Sequence, residues 1–168
     1  MTYPNQTADM KFLAALVTPF ITQATSWVEK KEALILAKGR ALTPSQKADA
    51  VKAGVAHPEK IRIEFAHSIR PPKQLMLGFA SRYAHALGQD TAGLTLRYGI
   101  FIRNDCQNYR AHRELYIHEF CHVAQYERYG SIQAFLTTYL QECLIPGYPN
   151  GSLEQEAILG AAKIVRGA

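Results

Sequence analysis

An α+β fold is predicted by two features of this sequence. Apolar residues recur with helical spacing over both ends of the chain, and in two short stretches between them that spacing gives way to strict alternation. Helices, a small sheet and more helices follow in that order, so the sheet is expected to be antiparallel or mixed. At 168 residues, with no internal repeat, no low-complexity stretch and no long linker, residues 1–168 are expected to form a single domain around one core.

The opening predicts two helices, one over about 8–17 and a second from Pro19 through Trp27 to Ala37, with Gly39 as a stop. Thr43 as N-cap and Pro44 at the first helical position announce a third helix, ending near Gly54. Ile61, Ile63 and Phe65 then alternate with Arg62, Glu64 and Ala66, the period of a half-buried strand closed by Pro71 and Pro72. Leu75, Phe79, Tyr83, Ala86 and Leu87 return to helical spacing before Gly88. A second alternation at Leu94, Leu96, Tyr98, Ile100 and Ile102 predicts one strand over 94–103. Three helical segments complete the chain, over about 108–129, 131–143 and 152–166.

Composition excludes several classes. With 48% hydrophobic and 20% charged residues the chain is neither a disordered tail nor a membrane bundle. The net charge of +5 comes from scattered Lys and Arg with no basic stripe, which gives no clear sign of nucleic-acid binding. Cys106, Cys121 and Cys143 make an odd set in a chain of this length, so a reducing, cytoplasmic location is expected rather than a disulfide framework. The apolar run Phe12–Ile21 is too short to span a bilayer and contains Pro19. Lys11 is the first basic residue, so it reads poorly as a secretory leader, and export stays the minor alternative.

Residues 118–122 read HEFCH, an HExxH motif well inside a predicted helix. Two histidines four residues apart project from one helix face, so both imidazoles can reach one Zn2+. Glu119 is then placed to take a proton from a zinc-activated water. Chance would produce such a motif in on the order of one chain in a hundred of this composition. Its setting also favours chemistry: Tyr116, Ile117, Phe120, Val123 and Ala124 form an apolar face, with His118, His122 and Gln125 opposite. In the last helix Glu154 falls within a stripe formed by Leu153, Ala157, Ile158, Ala161, Ile164 and Val165, whereas Glu156 lies on the flank with Lys163. A carboxylate in an apolar stripe needs a compensating cation, and zinc held by the two histidines would supply it. Glu154 is therefore favoured over Glu156 as third metal ligand; a simple complement to the helix N-terminus is the structural alternative.

HEFCHVAQ followed downstream by LEQEA resembles the zincin metallopeptidases, in particular gluzincins, whose third ligand is a glutamate on a later helix. The resemblance runs from Leu94 to the last helix. It implies a zincin-like fold with an edge strand beside the active-site helix, and it implies a Zn2+ cofactor. It also implies His118, His122 and Glu154 as ligands, through the Glu-x-x-Ala pattern of residues 154–157, and peptide hydrolysis with Glu119 as general base. Two departures stand out. Ile158 occupies the position where many gluzincins carry an Asp or Asn that orients a histidine, and 126–129 lack the third histidine of metzincins.

Several other residues are candidates. Glu114, one turn before His118, is either an orienting partner for that imidazole or half of a surface ion pair. The strand before the motif is either a peptide-pairing edge or a core strand. Tyr148, in the loop PGYPNG, is a candidate oxyanion donor, ahead of Tyr129, His67 and His112. Cys121 reads as an inert buried thiol rather than a nucleophile. The leading expectation is a zinc metallopeptidase acting on a peptide or protein. The alternatives are a zinc hydrolase dedicated to one partner protein or a non-peptide substrate, and a non-catalytic zinc-containing binding module.

Overall fold

The computed structural model describes residues 6–68 and 91–167. Helix α1 (Gln6–Lys38) leads into strand β1 (Arg40–Ala41), helix α2 (Pro44–Lys52) and strand β2 (Arg62–Ala66). Strands β3 (Gly93–Leu96) and β4 (Gly99–Arg103) precede the motif-bearing helix α3 (Arg113–Tyr129). Helix α4 (Ile132–Glu142), a π-helical turn (Cys143–Gly147) and helix α5 (Ser152–Arg166) follow. The strands form a mixed sheet in the order β1-β2-β4-β3, with β2 and β4 parallel and both outer pairs antiparallel. The α+β class is thus present. No helix among the described residues is long and apolar enough to cross a membrane.

Two expectations change. Pro19 does not divide the first segment: α1 runs through it as a single helix. An interior proline costs about 3 kcal/mol. The helix buries Ile21, Val28 and Ile35 in the core, each worth about 1.5–3 kcal/mol, so packing outweighs the lost hydrogen bond.

The strand expected over 94–103 is instead a hairpin, with Leu96 opposite Gly99 and Gly93 opposite Ile102. Paired residues point to the same face, so reversal at Arg97 and Tyr98 sends Leu94, Leu96 and Phe101 toward α1, and Gly93, Thr95, Ile100 and Ile102 toward α3. The turn lacks the Asn-Gly or Asp-Gly signal that marks most tight hairpins. Arg97 adopts φ 58°, at about 1–2 kcal/mol for a non-glycine residue. Buried Glu32 on α1 offsets it, accepting from Arg97 Nε (2.8 Å), Arg97 Nη2 (2.7 Å) and Tyr98 N (3.0 Å).

Elsewhere the local rules hold. Thr43 and Gln46 form a reciprocal capping box on α2, with Pro44 at its start and Gly54 beyond its end at φ 93°. The helix expected over 108–129 begins only at Arg113, after a 3-10 turn at Asn104–Cys106. The helix expected over 75–88, with Pro71 and Pro72 before it, lies outside the described residues.

Helix α3 is the hub of the core. Tyr116, Phe120 and Val123 pack with the Ile63, Ile100 and Ile102 face of the sheet and with α2. Tyr126 joins α1 and α4, while Ile117 and Cys121 meet Ala157 and Ala161 of α5. Burial on all sides also takes in the polar stripe: Glu119, His122 and Gln125 are buried, where the sequence suggested a polar face open to a cleft. Helix α5 differs in the other direction. Leu153, Ala157 and Ala161 are buried, but Ile158 and Val165 are exposed, so its apolar stripe is narrower than the helical wheel indicated.

Candidate metal centre

Three side chains from two helices converge between α3 and α5. His118 and His122 lie one turn apart on α3, and Glu154 lies in the first turn of α5. The two histidine Nε2 atoms are 3.1 Å apart. Glu154 gives one oxygen to each ring, Oε1 at 3.3 Å from His118 Nε2 and Oε2 at 3.4 Å from His122 Nε2. An ion bound tetrahedrally at about 2.0–2.1 Å holds its ligand atoms about 3.3–3.4 Å apart. The side chains lie close enough together that the group could hold a metal ion.

The electrostatics agree with the geometry. Burial works against the Glu154 carboxylate, yet hydrogen bonding from His118 and His122 holds it well below the usual carboxylate range. Burial likewise opposes charge on His122, but Glu154, Glu119 and Gln125 together lift it above the ordinary histidine value. A buried carboxylate paired with two imidazoles, and among the described residues with no Lys or Arg in its ion pairs, is a group that could hold a cation.

The start of α5 is fixed by a neighbour. Glu142, at the end of α4, accepts from Leu153 N (2.9 Å) and from the Ser152 hydroxyl. Ser152 is thus the first helical residue rather than the N-cap, and a carboxylate caps a helix N-terminus, where negative charge is favoured. Glu154, one residue on, inherits that anchoring. Glu156 stands apart from the two rings, half exposed and in a bidentate pair with Arg128 at 2.7 Å.

Glu119 is 4% exposed and turned toward β3. Its Oε2 accepts from Thr95 Oγ1 at 2.7 Å, and the same hydroxyl lies 3.0 Å from the Glu119 carbonyl. A Cβ added at Gly93 would stand 2.5 Å from Glu119 Oε1, so glycine is required there for the carboxylate to lie against the strand. β3 is the edge strand of the sheet and packs on α3, so Glu119 sits between the motif helix and that edge.

The remaining candidates separate. Burial pushes the Tyr148 phenol up to about 12, and the charges of Glu154 and Glu119 act in the same direction, which puts its hydroxyl in electrostatic reach of both. The residue itself is 40% exposed. Glu114 and His67 are exposed, Tyr129 packs on Phe135, and among the described residues none of the three bonds to the histidine pair. His112 is the residue preceding α3 and gives it no side-chain cap. Cys121 is buried, with its thiol raised to about 11 by desolvation, which suits packing rather than nucleophilic attack. It lines a cavity of about 640 Å3 with Lys52, Arg128, Glu156 and Lys163, and no member of the histidine–glutamate group lines that cavity.

Four residues around the site were not assigned from sequence. Gln125 bonds His122 Nδ1 at 2.8 Å, and its i,i+3 spacing was legible in HEFCHVAQ. Tyr139 of α4 donates to Glu154 Oε2 at 3.1 Å and meets the His122 ring edge-on, while Thr95 and Gly93 meet Glu119. These last three are tertiary contacts with no local signature.

Compared with known proteins, the chain matches no family model, no curated protein and no solved structure. Fold and site alone define its class: an α+β protein with a buried His-His-Glu group able to hold a metal ion.

Proposed function

We propose that the protein is a zinc-dependent metallopeptidase of zincin type, with His118, His122 and Glu154 as ligands and Glu119 as general base. The observation that carries this reading is the convergence of two imidazole Nε2 atoms and the two Glu154 oxygens at 3.1–3.4 Å, together with a second buried carboxylate, Glu119, that stands outside the ligand set. Two imidazoles and a carboxylate form a donor set common in catalytic zinc sites, which leave a coordination position open. Zinc bound there supplies a Lewis acid that polarises a carbonyl oxygen and brings water ionisation to about pH 7.

The chain's own residues supply the rest. Thr95 holds Glu119 Oε2, leaving Oε1 beside Gly93 to accept the proton released as water attacks the scissile carbonyl carbon. Glu119 then returns that proton to the amine nitrogen as the C–N bond breaks. Tyr148 donates a hydrogen bond to the oxyanion from the rim, since its raised pKa keeps the phenol protonated at neutral pH. The outer edge of β3 offers main-chain groups to an extended peptide, which favours a peptide or protein substrate.

A purely structural metal site has no use for a general base, so Glu119→Gln is the discriminating variant. Protein purified without added metal should contain about one equivalent of zinc and cleave peptides in a substrate screen. Glu119→Gln should keep the zinc and lose at least about 100-fold in turnover. Absence of zinc binding, or unchanged cleavage in Glu119→Gln, would overturn the reading.

A further inference from the structure

Among the described residues, His118 Nδ1 has no hydrogen-bond partner, whereas His122 Nδ1 lies 2.8 Å from Gln125 Oε1. The orientation of the Gln125 amide follows from its other end. Gln125 Nε2 lies 2.8 Å from the Leu153 carbonyl oxygen and 3.2 Å from Glu156 Oε2, and both of these only accept. The NH2 group therefore faces α5, and the amide oxygen faces His122. That oxygen can only accept, so His122 Nδ1 must carry a proton, and Nε2, the nitrogen facing His118 and Glu154, is the one left to give up its proton when a metal ion binds.

We propose that Gln125 is the positioning residue of the metal centre, fixing the tautomer and ring plane of His122 and tying that ligand to Glu154. This inference rests on the metal-site reading and deepens it. Gln125 is 1% exposed, so no solvent competes for either end of its amide. Its NH2 group bonds the carbonyl of the residue immediately before Glu154, so one side chain orients a ligand on α3 and pins the backbone that carries the ligand on α5. Arg128 anchors Glu156, the second acceptor of that NH2 group. The position in α5 where many gluzincins carry an orienting Asp or Asn is Ile158 here, and it is exposed. The orienting group has moved to the motif helix itself.

Two variants separate positioning from packing. Gln125→Met preserves shape and apolar packing but removes the acceptor. Gln125→Glu keeps an acceptor for Nδ1–H but loses the donor to the Leu153 carbonyl and adds charge beside Glu156. Zinc affinity is measured by competition with a chromophoric chelator on folded full-length protein, and the histidine tautomers of the metal-free protein are read from long-range 1H–15N spectra. Expected are a 10–100-fold loss of zinc affinity in Gln125→Met and, at a pH where the His122 ring is neutral, an Nδ1–H tautomer that is present in wild type and in Gln125→Glu and lost in Gln125→Met. A folded Gln125→Met variant that binds zinc as wild type does, or keeps that tautomer, overturns the inference alone. Should Gln125→Met fail to fold, absence of the His122 Nδ1–H tautomer in Gln125→Glu, where the acceptor is kept, overturns it. A wild-type protein that binds no zinc overturns the metal reading and this inference with it.

Discussion

On the two sides of α3 the functional carboxylates are held by different means. Toward α5, Glu154 and His122 are locked by side chains from other turns and helices: Tyr139 bonds Glu154, Gln125 bonds His122, and Glu142 caps the helix start. Toward the sheet, Glu119 rests on a strand, held by one hydroxyl from Thr95 and by the missing side chain of Gly93. The first side is a buried network in which Glu154 and His122 each have more than one partner, so it should tolerate loss at its margins better than loss of Glu154 or a histidine. The second is a close approach, and it fails when the space is filled. Ion holding and proton transfer should therefore be separable by mutation.

The largest expected effect tests the network side. Glu154→Ala removes one of the three proposed ligands, and about a third of a zinc-binding free energy of ~10–16 kcal/mol corresponds to roughly a few hundredfold to several thousandfold in affinity. Glu156→Ala breaks the half-exposed pair with Arg128, worth about 0–1 kcal/mol, and the longer of the two Gln125 Nε2 contacts while the Leu153 carbonyl remains its acceptor, so it should change zinc affinity less than about tenfold. Titrating zinc into the two variants side by side decides between the glutamates. The reverse ranking would remove Glu154 from the ligand set.

A smaller effect on a different quantity tests the strand side. In Gly93→Ala the new Cβ meets the end of the Glu119 side chain rather than backbone, so the carboxylate should move while the fold stays. A displacement near 1 Å at a reacting group costs on the order of 100-fold in turnover. Zinc affinity should stay within a few-fold of wild type, because Gly93 touches no ligand. Peptide cleavage at the wild-type rate in a folded, zinc-loaded Gly93→Ala protein would show that Glu119 need not lie against the strand.

The same division explains how much was legible in the sequence. Spacing placed His118 and His122 on one helix face, the Thr43 cap and the final helix were read from local signals, and Glu154 stood out as a charge within an apolar stripe. The hairpin was hidden because Arg97 and Tyr98 are not turn formers and alternation continues across the reversal; only Glu32, far away in sequence, makes Arg97 tolerable there. Pro19 misled because local propensity says nothing of the core against which α1 packs. Thr95, Gly93 and Tyr139 gain their roles only when β3 and α4 meet α3 and α5, so no window of sequence could contain the contact. The strand expected over 94–103 is split, and only its first arm, the four-residue β3, is an edge strand beside the motif helix.

The smallest effect probes the margin of the network, at Tyr139. Its hydroxyl donates to Glu154 Oε2, while its ring stacks on Phe135 at 5.4 Å and meets His122 edge-on at 5.8 Å. Tyr139→Phe removes the donor and keeps both ring contacts, so the loss is confined to one hydrogen bond to a charged group, about 1.5–3 kcal/mol when a partner stays buried and unpaired. Zinc restores most of that, because the metal satisfies the oxygen that the phenol leaves. The net loss in zinc affinity should be at most about tenfold, smaller than for Glu154→Ala or Gln125→Met. Its pH dependence has a definite sign. Burial first, then the neighbouring Cys143 and Glu154, push the Tyr139 phenol well above its ordinary value, so it is protonated and donating throughout the neutral range. The ratio of wild-type to Tyr139→Phe zinc affinity should therefore be flat between pH 6 and pH 9, even as both affinities change through their histidines. A ratio that collapses toward one as pH rises to 9 would mean that the phenol ionises in that range, and that Tyr139 does not hold Glu154 as a neutral donor.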